Sequence, residues 1–296
     1  MKILCICLSA TIQRTLSFDN FSETKVNRAN SFIENASGKA LNTARVLNQL
    51  KKDSTIVICP VGTENKNAFL KLVKNDSLNL NPIYIPGKTR SCWTLLSING
   101  DTTEVVCDEP KQNFTKRQLK SIERKLLKKI ERKLENIDCV ILSGSTPKHF
   151  SEDLCSRICS LVKSKEKMLL VDFIGSQLTN TLESSTPDFI KINKEEFEST
   201  FNTEFSSEQV QAFAQKHKTT FIITNGINPT LGSNGEDLIE APIEKVTPVN
   251  ITACGDSFNA GFVYDYLSNK NLKSAIEFGN STASKNACTL VPGSIL

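Results

Sequence analysis

Val249-Asn250-Ile251-Thr252-Ala253-Cys254-Gly255-Asp256-Ser257-Phe258-Asn259-Ala260-Gly261-Phe262-Val263 is the stretch from which the rest of the chain can be read. Three small residues, Ala253, Cys254 and Gly255, stand directly before an apolar helical run. Small side chains leave the first backbone N–H groups of such a helix open, and the helix dipole adds positive potential there. Together they make an anion site. With a phosphoryl group resting on those N–H groups at 253–255, the carboxylate of Asp256 can take the proton of an attacking hydroxyl. An Asp there also serves well as a helix N-cap, so these residues alone leave both readings open.

Outward from this stretch, short apolar strands alternate with amphipathic helices. Strands are expected at 3–8, 55–61, 139–142, 168–171, 189–191 and 220–224. Helices are expected at 39–50, 67–74, 115–134, 152–162, 207–216, 255–267 and 272–287. Near-continuous apolar strands separated by helices predict an α/β fold, with a mostly parallel central sheet and helices on both faces. Ligands on such a sheet sit at the carboxyl ends of its strands. Two segments, about 14–35 and 84–108, break the rhythm. The second reads as a hairpin of 93–98 and 102–107 around Asn99-Gly100-Asp101. Such strands must pack elsewhere, and a small β lid over the site is the expected arrangement. With no internal repeat and no Pro/Gly-rich linker, residues 1–296 read as a single domain with that lid.

The chain is 39% hydrophobic and 23% charged over 296 residues, ordinary values for a globular protein with a full core. No apolar run approaches the roughly 18 residues a membrane helix needs, so no membrane partner is expected. Residues 1–8 read as a first buried strand rather than a signal peptide. None of the ten cysteines forms a C-x-x-C pair, and His149 and His217 are not at metal-ligand spacing. Cys5, Cys7, Cys59, Cys107 and Cys139 lie in or beside apolar runs, which predicts buried reduced thiols in a cytoplasmic protein.

Residues 116–133 hold nine Lys/Arg against two Glu, which exceeds the whole chain's net +4 and leaves the remainder acidic. Leu119, Ile122, Leu126, Ile130, Leu134 and Ile137 recur every three or four residues through this run and form one apolar stripe. No aromatic residue interleaves with the cations. A solvated amphipathic helix is therefore expected, with no nucleic-acid partner.

The Gly255-Asp256-Ser257-Phe258 stretch, followed by Ala260-Gly261-Phe262, resembles the C-terminal G-A-G-D signature of the ribokinase-like (PfkB) sugar kinases. Ser37-Gly38-Lys39-Ala40-Leu41-Asn42 is similar to their G-G-K-G-x-N signature. The resemblance continues through Lys25-Val26-Asn27-Arg28, Thr89-Arg90, Ser143-Gly144-Ser145-Thr146-Pro147 and Lys191-Ile192-Asn193-Lys194-Glu195-Glu196, in family order from about residue 3 to 293. The branch most similar acts on ketohexose phosphates: 1-phosphofructokinase, tagatose-6-phosphate kinase and the minor 6-phosphofructokinase. The resemblance implies a ribokinase-like fold, ATP and Mg²⁺ as cofactors, and Asp256 as base beside the anion loop of Ala253, Cys254 and Gly255. Gln13, Gly38, Lys39, Asn42 and Arg90 would bind the sugar phosphate, with Lys25 and Arg28 at the same mouth. Lys191, Asn193, Glu196, Thr224, Gly226 and Asn286 would serve the nucleotide, Glu196 ordering water around Mg²⁺ without binding it directly. In similar proteins the β lid doubles as a dimer interface, so a homodimer through it is implied.

Four positions depart from the family pattern: Gln13 for an Asp that grips sugar hydroxyls, Ala40 and Ala253 for Gly, and Pro229 for a Gly in the phosphate turn. A neutral Gln forfeits a charge-assisted bond worth roughly twice a neutral one. Pro229 lacks an N–H donor, and Ala253 is strained if its φ is positive. Two alternatives therefore stand beside a ketohexose-phosphate kinase. One is a kinase of an unphosphorylated sugar or a nucleoside; the other is a weakened, sugar-phosphate-binding protein.

Overall fold

The computed structural model describes residues 1–97, 102–110 and 114–296. Its first half runs β1 (Ile3–Ile6), β2 (Thr11–Phe18), β3 (Ser31–Ser37), α1 (Lys39–Leu50), β4 (Thr55–Ile58), β5 (Pro60–Gly62), α2 (Lys66–Asn75), β6 (Ile83–Ile85), β7 (Arg90–Ser97), β8 (Thr102–Val106) and α3 (Lys116–Leu134). The second half adds β9 (Cys139–Ser143), α4 (Leu154–Ser164), β10 (Met168–Asp172), α5 (Ser176–Ser184), β11 (Phe189–Asn193), α6 (Lys194–Phe201) and α7 (Ser207–His217). It closes with β12 (Thr220–Asn225), β13 (Asn228–Ser233), β14 (Leu238–Ala241), α8 (Cys254–Asn269) and α9 (Leu272–Ala287).

Eight strands form the main sheet in the order β14-β13-β12-β11-β10-β9-β1-β4. The six from β12 to β4 are parallel, while β13 and β14 extend one edge antiparallel. Strand side chains alternate between faces, and this splits the apolar runs into two cores. Leu4, Ile6, Val140, Leu142, Leu169 and Val171 pack under α3, α4, α6 and α7. Ile3, Cys5, Cys139, Ile141 and Leu170 pack under α1, α8 and α9. A strand buried on both faces must be apolar at every position, which is why β1 reads Ile-Leu-Cys-Ile with no polar residue.

The strand expected at 55–61 is two strands. β4 pairs with β1 and β5 with β6, because Pro60 has no N–H with which to continue the first ladder. Helices α5 and α6 and the β13–β14 hairpin escape the periodicity reading. Their apolar content is one or two buried residues each, as with Phe197 in α6. Cys107, expected to be buried, is exposed, because it follows the exposed edge strand β8.

A second, four-stranded sheet has the order β3-β2-β7-β8. It draws on the segments expected to form a lid, although β2 begins earlier, at Thr11. β7 and β8 pair antiparallel as the hairpin reading requires, and the turn assigned to residues 99–101 lies outside the described residues. The basic run forms α3, begun by a Thr115–Gln118 capping box. Ile122, Leu126, Ile130, Leu134 and Ile137 are buried and Leu119 half-buried, whereas Lys116, Lys120, Arg124 and Lys128 face solvent. Among the described residues no helix is long and apolar enough to cross a membrane.

The burial pattern of α3 has a measurable consequence. Leu126→Ala should lower the unfolding free energy in urea by about 2–5 kcal/mol. Lys120→Gln on the opposite face should change it by less than about 0.5 kcal/mol.

Candidate active site

Helix α8 starts at the carboxyl ends of the parallel strands, and its first residues set the site. Ala253 precedes it in the left-handed region, φ 69° and ψ 12°, with no side-chain cap. The Cys254 N–H is taken by the Ile251 carbonyl at 3.2 Å. The N–H groups of Ala253, Gly255 and Asp256 have no such acceptor among the described residues, so two of the three donors expected at 253–255 are open and Asp256 adds another. A Cβ on Gly255 would stand 2.7 Å from Lys191 Nζ, so a larger residue there would displace that ammonium.

A cavity of about 530 Å³ opens over this helix end. Gln13, Gly38, Lys39, Asn42, Arg90, Lys191, Asn193, Glu196, Thr224 and Ala253 through Asp256 all line it. Residues spread over 244 positions of sequence thus meet at one place, because the strand ends bring their following loops together. Gly38, φ 126°, begins α1, and a Cβ there would meet Cys7 Sγ at 2.9 Å and the Ser9 carbonyl at 3.0 Å. Backbone therefore replaces side chain at that wall.

Asp256 is 6% exposed and accepts a hydrogen bond from Asn42 Nδ2 at 2.8 Å. Thr43 Oγ1 donates to its backbone carbonyl at 3.1 Å. Burial pushes the carboxyl up to about 6, opposed by Lys39 and the Asn42 bond and reinforced by the Asp172 charge. Such a carboxylate is ionised at neutral pH yet basic enough to accept a proton.

Asp172, absent from the sequence-based assignment, organises the cations. It ends β10, is fully buried, and binds Lys39 Nζ at 2.7 Å, with Lys191 Nζ 3.7 Å from its other oxygen. Asn259 Nδ2 donates to that oxygen at 2.7 Å. Burial opposes the Asp172 charge, but Lys39 and Lys191 outweigh it and hold the carboxyl below its usual range. Burial likewise works against the Lys39 ammonium, and Asp172, Glu196 and Asp256 overcome it, leaving the group above its usual range. The signal for Asp172 was present in sequence, as a carboxylate closing the apolar run Met168-Leu169-Leu170-Val171.

Glu196 is held in a capping box, its Oε2 accepting from the Asn193 N–H at 2.8 Å while Asn193 Oδ1 accepts from the Glu196 N–H at 2.7 Å. Its Oε1 is 3.7 Å from Lys39 Nζ. Gln13 Nε2 donates to Thr94 Oγ1 at 2.8 Å. Arg90 is already engaged, with Nε 3.3 Å from Glu109. Strand β8 reaches the anion loop through Thr252 Oγ1, which donates to Glu104 at 3.0 Å.

Several expected residues stand elsewhere. Lys25 and Arg28 are exposed and do not line the cavity. Gly226 sits in the β12–β13 turn, outside the lining. Asn286 is wholly buried and pins the anion loop from behind, donating to the Thr252 carbonyl at 2.9 Å. Of the four departures, Ala40 is buried in α1 and Pro229 is exposed on β13, both outside the lining, whereas Gln13 and Ala253 are in it.

An Ala in the left-handed region costs about 1 kcal/mol. Ala253→Gly should therefore raise the unfolding free energy by about that amount, as read from the thermal midpoint.

The sequence matches the pfkB family carbohydrate kinase description over residues 2–291. It is 27% identical to the 1-phosphofructokinase of Borreliella burgdorferi, over 96% of this chain and 91% of that protein. It is 26% identical to the tagatose-6-phosphate kinase of Staphylococcus epidermidis, over 94% and 90% of the two chains. The fold superposes on phosphofructokinase-2 from Escherichia coli in complex with fructose-6-phosphate, with TM-score 0.84 at 17% identity, covering 97% and 93%. Ribokinase from Thermotoga maritima gives TM-score 0.73 at 17% identity, covering 99% and 95%. The architecture is thus ribokinase-like, and the family match spans both sheets and every element around the cavity. The chain belongs to the pfkB family of carbohydrate kinases and is a phosphotransferase acting on an alcohol group.

Proposed function

We propose that the protein transfers a phosphoryl group from ATP to a hydroxyl of a ketohexose phosphate, the candidates being fructose 1-phosphate, fructose 6-phosphate and tagatose 6-phosphate. One observation carries this reading: a buried carboxylate, Asp256, sits on an open helix N-terminus and is held by Asn42 at 2.8 Å. The free N–H groups of Gly255 and Asp256 stabilise charge on the transferring phosphoryl. Asp256 takes the hydroxyl proton as the oxygen attacks.

Lys39 and Arg90 are the cations placed to meet the sugar phosphate. Gln13 and Gly38 bind its hydroxyls, and Asn42 both contacts sugar and holds the base. Lys191, Asn193, Glu196 and Thr224 serve the nucleotide side, while Asn286 contributes by supporting the loop. Gly226, outside the lining, belongs to the nucleotide side as well. No group of three metal-ligating side chains occurs among the described residues. Mg²⁺ binds mainly to phosphate oxygens and water with one or two carboxylates nearby. Glu196 is the carboxylate positioned to order that water.

A second reading, an unphosphorylated sugar or nucleoside acceptor, draws support from the pairing of Arg90 with Glu109 and from the absence of Lys25 and Arg28 from the lining. ADP release with a panel of sugar phosphates, free sugars and nucleosides separates the two. Turnover only with unphosphorylated acceptors would reject the first.

The outer face of the small sheet supports homodimerisation. Leu16, Leu95 and Phe32 are in register on it, Phe32 being 58% exposed. The ten unpaired cysteines accord with a reducing cytoplasmic compartment. Phe32→Asp should convert a dimer to a monomer in sedimentation velocity.

Asp256→Asn should lower kcat by about 10²–10⁴-fold while retaining ATP binding by calorimetry. In the wild type kcat/KM should fall tenfold per unit as pH drops below about 6, where Asp256 becomes protonated. Because the folded pKa is raised, the associated stability is present in acid and lost as pH rises through about 6. The Asn variant, neutral at every pH, should therefore melt higher than wild type at pH 8 and match it near pH 4.

A further inference from the structure

Arg45 is a buried cation outside the cavity, with a side chain only 7% exposed. A guanidinium does not shed its proton on burial, so each such group must be held by acceptors. Its Nη2 meets the Ala36 carbonyl and Asp76 Oδ2, the latter at 2.8 Å. Its Nη1 donates to the Pro292 carbonyl at 2.8 Å and to Asn42 Oδ1 at 3.0 Å.

The last contact bears on the site. Asn42 Oδ1 also accepts from Ser37 Oγ at 2.9 Å, and on the far side of the same amide Nδ2 donates to Asp256 at 2.8 Å. An amide has one accepting and one donating end. Two donors converging on Oδ1 therefore select the orientation in which the NH₂ faces the carboxylate. Flipped, the amide would set its NH₂ against a cation and a hydroxyl and its oxygen against the Asp256 carboxylate. The segment behind Arg45 closes the arrangement: a Cβ on Gly293 would lie 3.0 Å from Nη1 and 3.1 Å from the Asn42 Cα.

We propose that Arg45 is a positioning residue for the base, its guanidinium acting with the Ser37 hydroxyl to lock the Asn42 amide so that its NH₂ donates to Asp256. This rests on the reading of Asp256 as the base. Arg45 touches neither Asp256 nor the cavity, so its influence runs through Asn42 alone. The other groups facing Asp256 are Lys39 of α1, Asp172 of β10, Lys191 of β11, and the thiols of Cys7 and Cys254. All of them remain in place in the variants below.

The test is a ¹³C titration of the Asp256 carboxyl, assigned by its loss in Asp256→Asn, which requires no substrate. Arg45→Lys keeps the charge but breaks the fork that reaches both Asn42 and Pro292. Ser37→Ala removes the second donor without disturbing a buried cation, and serves if Arg45→Lys does not fold. Each should raise the Asp256 titration midpoint by about one unit, because a hydrogen bond to the ionised form is weakened. In an Asn42→Ala background neither should add a further shift. An unchanged midpoint in Ser37→Ala or a folded Arg45→Lys, or equal shifts with and without Asn42, would overturn the proposal. Full turnover by Asp256→Asn would instead end the reading of Asp256 as base, leaving the titration as an independent measure of the Arg45–Asn42 coupling.

Discussion

A carboxylate with no exposed surface persists only where cations and donors surround it, and Asp172 is that group here. Lys39, Lys191 and Asn259 converge on its two oxygens from α1, β11 and α8. Those three elements carry the proposed sugar side, nucleotide side and anion loop of the site. One buried charge at the end of β10 therefore sets how Lys39 and Lys191 stand relative to each other. Removing it would leave two ammonium groups facing each other without a counter-charge.

The same economy of buried charge recurs around it. Asp256 is held ionisable but basic by burial set against Lys39 and Asn42. Asn42 is in turn oriented from behind by Arg45 and Ser37. These groups are costly for stability one at a time, since each must be desolvated and then compensated. Their placement at the strand ends, away from the apolar cores on either face of the sheet, confines that cost to the site. Ala253 adds backbone strain at the same place, where a left-handed residue is needed to turn the chain into α8.

The small sheet meets this site from the side. Gln13 and Thr94 are hydrogen-bonded on its inner face, and Glu104 of β8 binds Thr252 at the start of the anion loop. Strand pairing sets alternate residues on opposite faces, so Gln13, Cys92 and Val106 line the cavity while Arg14 and Val105 do not. One face of the small sheet thus borders the cavity, and the other carries exposed apolar side chains such as Phe32.

The parallel core and its covering helices were legible in the sequence, because a strand buried on both faces is apolar at every position and a covering helix repeats with its own period. The carboxylate of Asp256 and the small residues before α8 were legible for a similar reason: an open helix end leaves a local mark. Elements with little apolar content, such as α6 and the β13–β14 hairpin, left no such mark. Lys25 and Arg28 looked like phosphate ligands by position along the chain, yet distance along the chain does not decide which face of a loop a side chain takes. Asp172 and Arg45 could be seen as charged residues in apolar runs, but not what they served. The sequence by itself thus determined the α/β layering, the family and the carboxylate on the helix terminus, since each is written in local pattern. Only the tertiary structure decided which cations share Asp172 and how Asn42 is turned toward Asp256, because those contacts join residues as far as 214 positions apart through the meeting of strand ends.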